Sequence, residues 1–431
     1  MRINSFALVT CAACLLAAGI GSTIRGDDAV SSPAAGTGIR QVTSKHLTLY
    51  TDLGTDDEID ALGDYFDQAF AQWCAYFGVD EREHADWHVQ CCLMKAPSRF
   101  RAAGLLSEDL PEFATGYTRE QRIWLHEQTG EYYRRHLLLH EGTHAFMYSL
   151  SAGRSAPWYF EGVAELLATH RVADGRLVLN SFPSARNQVP RWGRIEMVQA
   201  ACAAHQAMSL GKIFAYDSRA HFENEAYGWC WAAAAFLDGH PRYQARFRQL
   251  RVPADQQASG QHMRTLFAAD WHRVNEDWQL YLANLDYGYD FRRMDFEPVV
   301  GKPLDADGAS VSVAADRGWQ SSGVRVEAGQ QYRLRASGRY QIANDGRSWE
   351  CEPNGVTIRY YRGRPLGILL AAVRRDEADS QDPSGLTKPI IVGLGATLTV
   401  EQSGTLYFRV NDSAGRLSDN AGTLSVEIKP R

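Results

Sequence analysis

The sequence predicts an α+β domain followed by an all-β sandwich. Three observations predict it. Strand-like and then helix-like periodicities fill the first two thirds of the chain, the order expected of an α+β unit. Near Val299-Val300-Gly301-Lys302-Pro303 helical spacing disappears, and short strands recur between Gly, Asp and Asn turns. The 431 residues also exceed the ~250–300 at which a single core stops growing, so two or three domains are expected.

The elements follow in order. Arg2 and the apolar run Phe6 to Ile20, followed by Gly21 and Ser22, read as a secretory signal over residues 1–22. The run is shorter than the ~20 residues of a spanning helix. A secreted or periplasmic protein with no membrane span after signal removal is therefore expected. Residues 23–44 read as a linker rich in Ser, Ala, Gly and Asp. His46–Thr51 alternates like a strand, and apolar residues from Asp56 to Phe77 recur at helical spacing. Trp87–Met94 and Gln121–Leu125 read as strands. Tyr132–Leu150, Trp158–His170, Glu196–Met208 and Asn224–Leu237 read as helices, with more helix to about Leu285. The first domain is thus expected over 45–298 and the sandwich over 299–431.

Composition works mainly by exclusion. Hydrophobic residues at 45% and charged residues at 22% are ordinary globular values, so wholesale disorder is excluded. A net charge of −6 gives no basic field, which excludes nucleic acid as a natural partner. Two of the eight cysteines, Cys11 and Cys14, fall in the signal. The remaining six have no CxxC spacing, so neither a zinc knuckle nor a small disulfide framework is expected.

The chemistry is concentrated in His140-Glu-Gly-Thr-His144. On a helix, positions i and i+4 share a face, so His140 and His144 can present two imidazoles to one ion. Glu141 lies beside the first ligand, where a water-activating base is needed. His126-Glu-Gln-Thr-Gly130 begins the same way but lacks the second histidine. Sixteen residues after His144, Glu161 opens Glu-Gly-Val-Ala-Glu165, at the start of the next helix. Glu165, one turn on, can accept the outer N–H of a ligating histidine. His136 continues the series 136, 140, 144. It reads as a helix-start residue, because three histidines plus Glu161 would close the site to water.

The His140–His144 pair, the gap, and Trp158-Tyr-Phe-Glu-Gly-Val-Ala-Glu165 are similar to the gluzincin zinc metallopeptidases, most of all their peptidase-MA-like branch. The resemblance is convincing from about Tyr132 to Leu237. It implies a zincin-like fold, zinc held by His140, His144 and Glu161, Glu141 as catalytic base and Glu165 as supporting acid. Family members carry an oxyanion donor on a later helix. Glu225-Ala-Tyr227-Gly-Trp-Cys-Trp231 is similar to that motif, which implies Tyr227, with Tyr216 and His221 as alternatives. The strand Gln121–Leu125 is the expected edge for pairing with an extended peptide.

In the second domain a strand enters the oxygen-rich loop Asn411-Asp-Ser-Ala-Gly-Arg-Leu-Ser-Asp-Asn420, and another leaves it. By its residues alone the loop is a polar hairpin or a calcium loop, and the spacing is not that of an EF-hand. The stretch from about Leu304 to the end resembles the calcium-dependent galactophilic lectins of bacteria. That resemblance implies calcium on Asp412, Asp419 and Asn420, with carbonyls from Arg416 and Ile342, and a bound sugar. Residues around Pro353-Asn-Gly355 depart from the family's sugar-contacting pattern. The expected function is an exported zinc peptidase acting on a peptide or protein, with a module that binds calcium and glycans or glycoproteins. The rival is a non-catalytic glycan-binding protein whose zincin domain is structural or degenerate.

Overall fold

A mixed five-stranded sheet organises the N-terminal part of the chain. The computed structural model describes residues 37–150, 155–217, 224–250, 265–376 and 382–431. The expected signal and most of the expected linker lie outside these residues. Packing divides the chain into two units. The first comprises residues 1–198, 210–238 and 243–266, the second residues 199–209, 239–242 and 267–431.

In the first unit the strands are β1 (Arg40–Thr43), β2 (Leu47–Thr51), β3 (Val89–Met94), β4 (Gly116–Arg119) and β5 (Arg122–His126). Their spatial order is β1-β2-β3-β5-β4. β2, β3 and β5 run parallel, and β1 and β4 close the sheet antiparallel. β5 is therefore interior, and the edge expected at Gln121–Leu125 is instead β4. The Gly116–Arg119 segment folds back on β5 through Glu120, whose φ is 55°. That turn decides which strand is outermost.

The sheet carries the Leu62–Phe77 and Glu131–Ser149 helices. The helix expected from Asp56 is interrupted. A first turn, Asp57–Asp60, is capped by the Asp56 side chain, and the long helix begins at Leu62. Phe66, Phe70 and Trp73 from this helix meet Trp87 and Phe146, forming the aromatic floor under the second helix. The Pro157–Ala168 helix packs on the Glu131–Ser149 helix, and a short β6–β7 hairpin follows (Arg171–Ala173, Arg176–Val178). All six cysteines among the described residues are free.

The second unit is built on two antiparallel-rich sheets, β17-β16-β19-β10-β8 and β18-β11-β20-β9. Their strands span Lys302–Pro303 (β8), Ala309–Ala314 (β9), Gln320–Val326 (β10), Gln331–Ser337 (β11), Leu369–Arg374 (β16), Ile390–Ile391 (β17), Gly395–Thr399 (β18), Gly404–Val410 (β19) and Thr423–Pro430 (β20). β11 and β20 alternate buried and exposed positions, the pattern of a sheet with one face in water. Leu334, Val426, Ile428, Leu369, Leu406 and Phe408 meet in the core between the sheets. The sequence also reads Val356–Tyr361 as a strand; it forms β14 and pairs with β15 (Arg364–Leu366), while the hairpin β12–β13 (Tyr340–Asn344, Ser348–Cys351) is not among the strands that the sequence predicts.

β19 is buried at all seven positions, so its second face is covered too. The cover is helical. Leu280 of the Trp271–Asn284 helix and Phe296 pack on Leu370, Ala372 and Tyr407. The Tyr407 hydroxyl donates to the Glu297 carbonyl. The change of period near residue 299 is therefore not where packing divides the chain, because residues 267–298 bury their apolar face on the sandwich. A buried ion pair fixes them there: Arg374 donates to both oxygens of Glu276 at 2.9–3.0 Å, and Ser384 donates to Glu276 at 2.8 Å. Among the described residues no helix is long and apolar enough to cross a membrane.

Glu276→Ala should therefore destabilise the protein by about 3–5 kcal/mol, because it leaves the Arg374 charge buried without its partner. Urea unfolding measures this. Glu276→Ala combined with Arg374→Met should recover much of the loss.

Candidate metal centre

His140 and His144 lie one turn apart on the Glu131–Ser149 helix, and Glu161 lies in the second turn of the Pro157–Ala168 helix. Pro157 at the first helical position starts that helix where its missing N–H costs nothing. Gly162 is the residue that lets the Asn224–Gly239 helix approach, since a Cβ there would stand 2.7 Å from the Cys230 carbonyl oxygen. Three helices thus converge on the histidine pair.

The three atoms that could hold an ion form a triangle. His140 Nε2 and His144 Nε2 are 3.1 Å apart, and each is 3.3 Å from Glu161 Oε2. A tetrahedral zinc with ligands at ~2.0–2.1 Å would separate them by about 3.3 Å. All three residues are buried. Two imidazole nitrogens and a carboxylate oxygen, close enough to share one ion, could hold a metal here. The His144 ring stacks on Phe160 at 4.1 Å, and its buried Nδ1 has no hydrogen-bond partner, so packing sets its orientation.

Glu141 is buried at the same place. Thr118 Oγ1 donates to Glu141 Oε2 at 2.7 Å and lies 3.1 Å from its main-chain oxygen. A Cβ on Gly116 would stand 2.6 Å from Glu141 Oε1, so only glycine leaves room for the carboxylate. β4, the outer strand, therefore holds the Glu141 carboxylate from two positions. Burial pushes the Glu141 carboxyl above its ordinary value, against the lowering pull of His140, His144 and the Thr118 hydroxyl.

Glu165 is the most strongly held of the acids. Arg194 donates to it at 2.8 and 3.3 Å. His136 Nε2 stands 3.4 Å from Glu165, and His140 Nδ1 stands 3.6 Å from it. Burial opposes the Glu165 charge, but Arg194 and His136 outweigh it and hold the carboxyl well below the usual range. For His140 burial acts downward, while the Glu161 hydrogen bond and the charges of Glu165, Glu161 and Glu141 act upward and carry it to about 9. His136, expected at a helix start, is in fact inside the second turn and fully buried, and it shares hydrogen-bond range with the Ala168 carbonyl at 3.0 Å. His136, His140 and Glu165 form a second potential ligand group, with longer separations.

Tyr227 is buried on the Asn224–Gly239 helix, its ring 6.2 Å from that of His140 and under the Arg194 guanidinium at 5.9 Å. Tyr216 is half-buried after the Leu210–Ile213 turn, and His221 lies outside the described residues. Sequence reasoning missed Thr118 and Arg194. Nothing in their spacing signals them, because strand pairing and helix packing, not local periodicity, bring them to the site.

In the second unit Asp412, Asp419 and Asn420 do meet. Asp412 Oδ2, Asp419 Oδ1 and Asn420 Oδ1 are buried without hydrogen-bond partners. Burial raises the Asp412 carboxyl to about 6, with Asn420 and the Ser413 N–H pulling down and Asp419 adding to the rise. Three unsatisfied oxygens in one loop form a hard-cation donor set. Ile342 sits in a bulge of β12, between the paired residues Gln341 and Ala343, while the Arg416 carbonyl accepts from Asp419 N–H at 3.3 Å.

No family model matches the chain, and no curated protein matches it. Among solved structures, one of those that match covers part of the chain. That structure is described as "EclA N-terminal domain; PllA-like lectin", with 23% identity over 28% of this chain and 95% of that chain, at a TM-score of 0.21. At that score the likeness carries no argument about fold or ligand, and the site stands on its own geometry.

One zinc per chain is expected by elemental analysis, lost in His140→Ala, His144→Ala and Glu161→Ala. Glu165→Gln should weaken zinc by about 10–100-fold, since it releases the group that supports His140. Full zinc retention in Glu161→Ala would move the site to His136, His140 and Glu165.

Proposed function

We propose that the chain is a zinc-dependent peptidase of the gluzincin type, with a zincin-like first domain and an appended calcium-binding, glycan-directed module. The observation that carries the reading is the His140–His144–Glu161 triangle with Glu141 beside it. Zinc, when bound there, would supply Lewis-acid chemistry and lower the pKa of a water. The remaining steps belong to the chain. Glu141, raised by burial and aimed by Thr118, takes the proton of the attacking water and passes it to the leaving amine. Tyr227 is the candidate donor to the oxyanion. β4, as the outer strand, is where an extended peptide would add to the sheet. Arg194 and Glu165 hold His140 in place throughout. The Phe160 ring stacked on His144 keeps that side of the site apolar, which strengthens the electrostatic contacts beside it.

The lectin-like module is proposed on its loop oxygens. A calcium ion at Asp412, Asp419 and Asn420 would leave coordination places for hydroxyls of a sugar. Such a module would raise the local concentration of glycoprotein substrates near the peptidase.

The peptidase reading is tested on an unstructured protein substrate. Glu141→Gln should keep zinc and lose hydrolysis by about 10²–10⁴-fold. Thr118→Val should lower kcat about 10- to 100-fold with KM little changed, the loss expected for one hydrogen bond to a charged group. Tyr227→Phe should lose about 10²–10³-fold, and undiminished activity would place the oxyanion donor elsewhere. Zinc-loaded wild type that cleaves nothing would favour the non-catalytic reading.

The module is tested separately by thermal unfolding. Calcium at a hundred times its Kd should stabilise the second unit by about 2.7 kcal/mol. Asp412→Asn with Asp419→Asn should abolish that shift, and glycan-array binding, where present, should vanish in EDTA.

A further inference from the structure

A cavity of about 510 Å³ lies in the second unit, within the ~300–1,000 Å³ typical of small-molecule sites. Its walls come from the last turn of the Trp271–Asn284 helix, residues 199–203, the β14–β15 hairpin and the outer face of β16 and β19. Three arginines line it, Arg362, Arg364 and Arg409, and no aspartate or glutamate does. None of the three guanidiniums makes an ion pair among the described residues.

Arg409 is the telling one. It is 4% exposed, and charged residues are almost never so buried unless paired. Its three hydrogen bonds all go to uncharged oxygens: Asn284 Oδ1 at 2.9 Å, the Asp412 carbonyl at 2.9 Å and the Val410 carbonyl at 3.3 Å. The carbonyls fix the guanidinium in place without neutralising it. The guanidinium lies 5.7 Å from the ring of Trp319, another lining residue, whose buried Nε1 has no hydrogen-bond partner. Arg362 donates to the Tyr361 hydroxyl and to the Ala283 carbonyl, both neutral. Arg364 has no side-chain hydrogen bond among the described residues.

The lining is thus rich in donors and cations, and it includes an unsatisfied indole N–H and the rings of Trp319 and Tyr361. Burying an uncompensated charge is costly, and arginine forks match carboxylate and sulfate oxygens in pairs. We propose that this cavity binds a small ring-bearing organic anion. Its carboxylate or sulfate group is taken by Arg409 together with Arg362 and Arg364, and its ring packs against Trp319. The site is separate from the zinc triangle, and it does not require calcium. Arg409 touches Asp412 only through the main-chain oxygen, leaving the Asp412 carboxylate to its own loop.

The test is titration calorimetry on the full chain in EDTA, which removes any calcium-borne sugar binding. Two acid and neutral pairs are used: benzoate against benzamide, and galacturonate against galactose. The two pairs distinguish an aryl from a sugar acid. At least one acid should bind one to one, tenfold or more tighter than its neutral partner, and more weakly as salt rises. Arg362→Gln with Arg364→Gln alters two accessible side chains and should cost tenfold or more while the melting curve is unchanged. Arg409→Gln should cost more still, and if that variant fails to fold, the double variant decides. No saturable heat from either acid, equal binding of the neutral partners, or undiminished binding in the double variant would overturn the proposal.

Discussion

The burial of three carboxylates around His140 is the constraint around which the first unit is built. Glu141, Glu161 and Glu165 are all buried, and charges so placed repel unless something compensates. Arg194 offsets one of them. The remaining negative charge shows itself in His140, which is driven up to about 9 despite burial. A divalent cation at the triangle would offset that charge. The same constraint explains the supporting architecture. The helices carrying these groups must pack closely, and the strand beside them must carry Gly116 and Thr118, one making space for Glu141 and the other fixing it.

The second unit solves a different problem. Its β16–β19 sheet is apolar on both faces, so one face forms the sandwich core and the other needs a cover. Residues 267–298 provide that cover and carry Glu276 to meet Arg374. Arg409 lies on the neighbouring strand, opposite Leu370, and has no such acid. Two buried arginines on adjacent strands thus have opposite environments. Arg374 is a closed structural pair. Arg409 is held by carbonyls and left charged toward a cavity. The loop after β19 keeps its own acids for a separate cluster, in which Asp412, Asp419 and Asn420 leave oxygens unsatisfied.

Much of this was legible in the chain because the signals are local. The i, i+4 histidines, the apolar spacing of Leu62–Phe77 and the alternation of β11 and β20 all follow from the pitch of a helix or the pleat of a strand. The second acidic motif was legible for the same reason, since Pro157 and the apolar run after it mark a helix start. What escaped depended on pairing between distant segments. β5 read as an edge because no local feature shows that Gly116–Arg119 folds outside it. His136 read as a helix-start residue because position along a helix does not show what packs on its first turns, here Ala168 and Glu165 of the next helix. Residues 267–298 read as part of the first domain because their helical period is silent about which sheet they cover.

The sequence by itself determined most of the element types, the change from helix to strand near residue 299, and the histidines and glutamates that gather in the first unit. Those properties depend on spacings of a few residues, which backbone geometry converts directly into faces. Only the tertiary structure decided that Thr118 and Arg194 serve the site, that β4 is the outer strand, and that Arg409 is buried without an ion pair among the described residues. Each of these arises from contacts between residues tens of positions apart, and side-chain burial and charge compensation exist only once such segments have packed.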